Sequence, residues 1–241
     1  MINKRGQVTI FVIIAILLIS SVALYFLFGS SLGFGQRNLD PDIEKVYLFA
    51  EDCMKGNLEE SLYWVGQGGG YYLPRESFTN SNGIPYYIYN GDFYYPTEET
   101  INNEISSYIN SNIDYCLNEF KNFSEFNISK GDISSITEIK NEEVVSEVNY
   151  PITIQRVDEK TIIKDFEVKT YSRIKEMYEF AGEILQTYSN DGLCLSCIYE
   201  TAAVKDFKID ITNDEEGIII TIIDETPQRN HYEFKFAIYN E

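Results

Sequence analysis

Histidine is nearly missing from this chain: His231 is the only one in 241 residues. A Ser-His-Asp or Cys-His arrangement would have to rest on it. It alternates to the polar side of the last apolar segment, with nothing nearby to orient it, so nucleophilic catalysis of that kind is not expected. A zinc site would fall to the cysteines alone. Positive charge is scarce as well, with 19 basic against 38 acidic side chains. The first 29 residues hold two of the bases, Lys4 and Arg5, and no acid, which leaves −21 on the rest. That charge excludes nucleic acid as a partner and argues against lying flat on an anionic membrane surface. No internal repeat of solenoid period is present. Nothing calls for a cofactor, and no catalytic or metal-binding set stands out.

What the chain does have, at its start, is a long uncharged apolar run. Val8 to Phe28 is interrupted only by Thr9, Ser20 and Ser21. As a helix it would span roughly 30 Å, the thickness of a hydrocarbon core. Lys4 and Arg5 precede it, and the next base is Arg37. The positive-inside rule then keeps residues 1–6 in the cytoplasm as a basic leader, makes 7–29 a single transmembrane helix, and exports everything after it. An ordinary cleaved secretory signal fits less well, because the run is longer than a usual apolar region and ends without an Ala-x-Ala site.

Lys4-Arg5-Gly6-Gln7 followed directly by that run resembles the class III, prepilin-type signal of archaeal surface proteins and type IV pilins. The resemblance covers about thirty residues. It implies that a prepilin-type peptidase cuts after Gly6, that Gln7 opens the mature chain, and that the helix stays as a membrane anchor or a filament core. Many pilins carry a glutamate five residues after the cut. Here that position is Phe11, which favours a stand-alone anchor over a filament subunit.

Cys53, Cys116, Cys194 and Cys197 all lie in the exported part, where disulfides persist. Of the three possible pairings, Cys53 with Cys116 would tie two helices and Cys194 with Cys197 would close a tight loop. A redox role for Cys194-Leu-Ser-Cys197 is disfavoured, because such pairs usually open a helix after a strand in a βαβ unit. A zinc role would need all four cysteines to converge.

Residues 30–39 read as a spacer. Asp40-Pro41 reads as an N-cap and first helical position, followed by apolar residues at helical spacing from Ile43 to Val65. Gly66-Gln-Gly-Gly-Gly70 follows a helix rather than a strand, so it terminates the helix and turns rather than cradling phosphate. Tyr71 to Tyr95 is dense in aromatics, and Asn90-Gly91 predicts a hairpin with a type I′ turn. Alternation would put Tyr87 and Tyr89 on one face, Tyr86 and Ile88 on the other. Tyr86, Tyr87, Tyr89, Tyr94 and Tyr95 are therefore a candidate recognition surface for glycans or a partner, unless both faces pack internally. Thr97 caps a second helix whose buried stripe runs through Ile101, Ile105, Tyr108, Ile109, Ile113, Cys116, Leu117 and Phe120. Asn122 and Asn127 head glycosylation sequons in a loop.

A composition shift near Gly131 divides a helical, Tyr-rich subdomain (40–130) from a second one (131–241). In the latter, Val144–Ile154 and Thr161–Thr170 form a hairpin with Pro151 at an edge or bulge. Ser172–Tyr188 is an amphipathic helix, Ile198–Val204 a short helical turn, and three strands close the chain as an antiparallel meander packed on a helix. The class is α+β, preceded by the single transmembrane helix. Acidic doublets (Glu98-Glu99, Glu142-Glu143, Glu215-Glu216) sit at a helix start and at turns, and Asp214, Glu215 and Glu216 lack the spacing of an EF-hand loop.

Two readings come from different classes. In the first, the protein is a single-pass, extracellular, membrane-anchored surface protein, not an enzyme. Its partners are the lipid bilayer, a prepilin-type peptidase, other copies of itself or surface glycans. In the second, it is an exported, membrane-anchored hydrolase using two carboxylates roughly 5 to 9 Å apart in a cleft.

Overall fold

The computed structural model describes residues 40–156, 159–188, 192–226 and 232–239. Lys4, Arg5, Gly6, Gln7, the apolar run, the spacer (30–39) and His231 lie outside them. Among the described residues no helix is long and apolar enough to cross a membrane.

The described part begins with helix α1 (Pro41–Gln67), and the residues at helical spacing (Ile43, Val46, Ala50, Cys53, Met54, Leu58, Leu62, Val65) are its buried face. Its end is set by packing as much as by backbone freedom. A Cβ on Gly66 would stand 2.4 Å from the carbonyl oxygen of Glu233, and one on Gly69, where φ is +52°, 2.4 Å from that of Lys235. The glycine run therefore lets the helix end approach a strand backbone. Strands β1 (Tyr86–Tyr89) and β2 (Asp92–Phe93) then form the expected hairpin, with Asn90 (φ 51°) and Gly91 (φ 87°) both left-handed as a type I′ turn requires. Helix α2 (Glu98–Leu117) is capped as expected, the Thr97 hydroxyl accepting from the Thr100 amide at 3.1 Å. Cys116 is exposed on its flank rather than part of its buried stripe, and Phe120 is buried beyond the helix.

Two strands absent from the sequence reading follow, β3 (Asn127–Lys130) and β4 (Ser134–Ile139). Both pair end to end along one edge of β5 (Glu143–Arg156), while β6 (Glu159–Tyr171) runs along the other. β5 is thus central, and Pro151 sits at a bulge where the register shifts between Asn149 and Ile152. Its ring needs no ladder partner there. Helix α3 (Ile174–Thr187) and helix α4 (Leu195–Val204) lead to β7 (Lys208–Asp214), β8 (Gly217–Asp224) and β9 (Tyr232–Tyr239), the expected meander.

Mixed α+β is what these elements make, but the expectation of one antiparallel sheet is corrected in two respects. The described residues form two sheets, and in the second, ordered β2-β1-β9-β8-β7, β1 runs parallel to β9. The reason is burial: Tyr87 and Ile88 are fully enclosed and need cover on both faces, and β9 offers an edge for them. Asp42–Glu241 cluster as one compact unit, with β1 from one side of Gly131 sharing a sheet with strands from the other. Helix α1 meets both sheets, Tyr47 stacking on Phe166 of β6 at 4.9 Å while the glycine turn meets β9.

One polar side chain ties several of these pieces together. Arg173 pairs with Glu176 and with the buried Asp224 of β8, donates to the Lys205 carbonyl, and lies 4.1 Å over the Phe207 ring.

Candidate functional site

After the glycine turn, the chain from Tyr71 to Phe78 doubles back toward α2, where the Glu104 carboxylate accepts the Tyr72 amide at 2.9 Å. The hairpin returns opposite it, its ladder prolonged by the Tyr94 amide donating to the Tyr87 carbonyl. Between them opens a cleft of about 450 Å³ whose lining includes Tyr71, Arg75, Phe78, Tyr94, Tyr95 and Glu104. Its aromatic rings are held by packing. Phe78 and Tyr94 are 4.8 Å apart between centroids, and Tyr95 stacks on Tyr178 of α3 at 4.7 Å and donates to the Tyr178 carbonyl. Gly182 leaves the space for that ring, since a Cβ there would be 3.0 Å from the Tyr95 hydroxyl oxygen.

Burial pushes the Tyr71 hydroxyl above its ordinary range, with the Glu104 charge adding to the effect and Arg75 opposing it. Tyr95 is pushed up for the same first reason, then by its hydrogen bond to Tyr178. These hydroxyls stay protonated at neutral pH and act as hydrogen-bonding tips on apolar bodies. An exposed guanidinium and a carboxylate complete the lining. The set can stack on a ring and hydrogen-bond its hydroxyls.

The tyrosines singled out by sequence divide. Tyr86, Tyr94 and Tyr95 line this cleft, Tyr86 donating its hydroxyl to the Glu216 carbonyl. Tyr87 is wholly buried, stacked on Phe236 at 4.5 Å and donating to the Gly69 carbonyl; burial holds its hydroxyl well above the usual range. Tyr89 is 40% exposed and stacks on Tyr239 away from the cleft. Of the two alternatives left by the alternation, internal packing holds for Tyr86, Tyr87 and Ile88, while Tyr89 is partly exposed. Sequence reasoning missed Tyr71, Arg75, Phe78 and Glu104. Only the density of aromatics around Tyr71 hinted at them.

The acidic doublets go elsewhere. Glu98, Glu138, Glu142, Glu143 and Glu176 line an open groove of about 1060 Å³ together with lysines, and the pairs Lys175–Glu98 (3.1 Å) and Lys140–Glu138 (3.4 Å) draw two of them into ion pairs. Glu216 accepts the Ser81 amide, which holds its carboxyl below the usual range. Among the described residues no group of three or more His, Cys, Asp or Glu could hold a metal ion.

The cysteines pair as read: Cys53 with Cys116, linking α1 to α2, and Cys194 with Cys197. The second pair differs in setting from the expected loop. Helix α4 begins at Leu195, so the pair straddles a helix start. Asn122 is exposed in a 3-10 segment (Asn118–Phe123), and Asn127 is exposed at the head of β3 rather than in a loop. Comparison with known protein families, curated proteins and solved structures yields no match.

Proposed function

We propose that this is a single-pass, membrane-anchored surface protein whose acidic, disulfide-bonded ectodomain binds a saccharide in the aromatic cleft. The observation that carries the reading is the convergence of Tyr71, Phe78, Tyr94 and Tyr95 around Arg75 and Glu104. Aromatic faces suit the apolar face of a sugar ring, and the charged pair suits its hydroxyls. The uncharged run from Val8 to Phe28 behind Lys4 and Arg5 supports the anchor, and the two disulfides support an oxidising location. Within this reading Gly6–Gln7 is the processing site of a prepilin-type peptidase and Phe11 favours an anchor over a filament subunit.

The test is binding of the full chain, in detergent, to an array of neutral and acidic oligosaccharides. Tyr94→Ala is expected to weaken any hit about tenfold, the loss of one stacked ring. No hit, or a hit indifferent to Tyr94 and Phe78, refutes the cleft. Intact mass of the native chain tests the anchor: a start at Gln7 supports prepilin-type trimming, and a start at Met1 leaves an untrimmed signal anchor. The hydrolase reading has one observation in its favour, the carboxylate-lined groove at Glu98 and Glu176. It requires turnover of an oligosaccharide that Glu98→Gln or Glu176→Gln abolishes.

A further inference from the structure

We infer that the Cys194–Cys197 disulfide is a thiol–disulfide exchange site whose substrates are peptides or proteins carrying a pair of cysteine thiols. The inference is independent of the aromatic cleft.

It rests first on where the pair stands. Cys194 is the N-cap of α4 and Cys197 lies in its first turn, with the Ile198 amide donating to the Cys194 carbonyl at 3.1 Å. The first amides of a helix point outward without intrahelical partners, and the helix dipole is positive at that end. No side-chain hydrogen bond caps this helix, so its first amides are left without a side-chain acceptor and the Cys194 sulfur stands at the positive end of the dipole. The Ser196 hydroxyl is 3.6 Å from that sulfur and can donate to it. A thiolate at Cys194 is therefore stabilised, and a stabilised thiolate is a good leaving group.

Access is the second support. Cys197 is exposed and Cys194 half-buried, and Leu195 (50% exposed) and Tyr199 (51%) place apolar surface beside them for an incoming chain. The other disulfide provides the contrast. Its accessible sulfur belongs to Cys116, so attack there would expel Cys53, which is 4% exposed on the apolar face of α1. Burial in apolar surroundings raises a thiol's pKa and makes it a poor leaving group. The ring closed by a separation of 3 residues also gains far less loop entropy than one of 63.

The chemistry balances without a further reagent. A substrate thiolate attacks the Cys197 sulfur, forming a mixed disulfide and expelling Cys194 as thiolate. The second substrate thiolate then attacks the substrate sulfur of that bond. The substrate leaves as a disulfide, oxidised by two electrons, and Cys197 leaves as a thiolate that takes a proton from water. With a substrate disulfide the sequence runs in reverse, Cys194 closing the ring on Cys197.

The test uses the full chain in graded mixtures of reduced and oxidised glutathione, quenched with acid, alkylated and read by peptide mass spectrometry. Cys194–Cys197 is expected to open at ratios that leave Cys53–Cys116 closed. Once it is open, the pH dependence of alkylation should place the Cys194 thiol at least about one unit below the ordinary 8.5, with roughly tenfold faster alkylation at pH 7. Ser196→Ala should raise that value while leaving the circular dichroism unchanged. A synthetic peptide with two cysteines should be oxidised several-fold faster by the chain than by an equal concentration of oxidised glutathione. Opening of both disulfides together, a Cys194 thiol at 8.5 or above, or no acceleration with the peptide each overturns the inference.

Discussion

Replacing Cys53 and Cys116 together by alanine removes a crosslink that spans 63 residues and joins the middle of α1 to the last turn of α2. The stabilisation comes chiefly from restricting the unfolded chain, and a loop of that length corresponds to about 4 kcal/mol at 25 °C. Little is lost in the folded state by comparison, since Cys116 is exposed and α1 keeps the rest of its buried face. For a unit of about 200 residues the expected fall in Tm is near 10 °C. Near-ultraviolet circular dichroism, which reads the packed tyrosines, provides the assay on the full chain in detergent. Removing Cys194 and Cys197 instead, with a separation of 3, should cost less than half as much. A fall of under about 3 °C for the long crosslink, or equal falls for the two pairs, would refute the loop-entropy reasoning.

Two glycines, one in α1 and one in the turn that follows it, should respond in opposite directions to alanine. Gly69→Ala forces a left-handed residue and a Cβ against the Lys235 carbonyl and should destabilise by about 2–5 kcal/mol. Gly56→Ala, in the helix and with nothing within 4 Å, should stabilise by about 0.5–1 kcal/mol, both read by urea denaturation. Arg173→Met strips the buried Asp224 of its cation and should cost about 3 kcal/mol in the same assay, more than the exposed pair Lys208–Glu225 loses on Lys208→Met. Asp114 accepts from Lys130 at 2.7 Å and from Tyr150 at 2.8 Å, and the Lys130 bond first of all holds its carboxyl below the ordinary 3.8. A lowered carboxylate stabilises the fold fully above its unfolded value and loses that contribution as pH falls through the folded one. Asp114→Asn should therefore flatten the decline in Tm below about pH 4 and leave its shape above pH 6 unchanged.

What could be read from the sequence was whatever a short window encloses. The spacing from Ile43 to Val65 delivers the buried face of α1, Thr97 caps α2 with its own hydroxyl, and Asn90-Gly91 turns the hairpin. Each is decided by residues within a few positions of one another. Pro151 foretold an irregularity but not its site on a central strand, because the second edge of β5 is taken by β3 and β4, and Ser134–Ile139 is too polar to announce a strand. The parallel pairing of β1 with β9 is equally invisible to local pattern, yet it goes with Tyr87 being core while Tyr94 is only half-buried.

The same limit governs both functional readings. Five tyrosines in one stretch invited a recognition face, but Tyr95 is held by stacking on Tyr178, far away in α3, and the segment after the glycine turn is tied to α2 by Glu104 accepting the Tyr72 amide. At the cysteines Leu195, Ile198, Tyr199 and Ala202 keep a helical spacing, but the expected helical turn starts only at Ile198, three residues after the observed helix start. A helix start placed after the pair makes the disulfide a structural clip, whereas one placed at Leu195 puts Cys194 at the N-cap, the positive end of the helix dipole. Three residues of helix boundary thus separate an inert loop from a leaving group, and boundaries are where a sequence pattern is weakest.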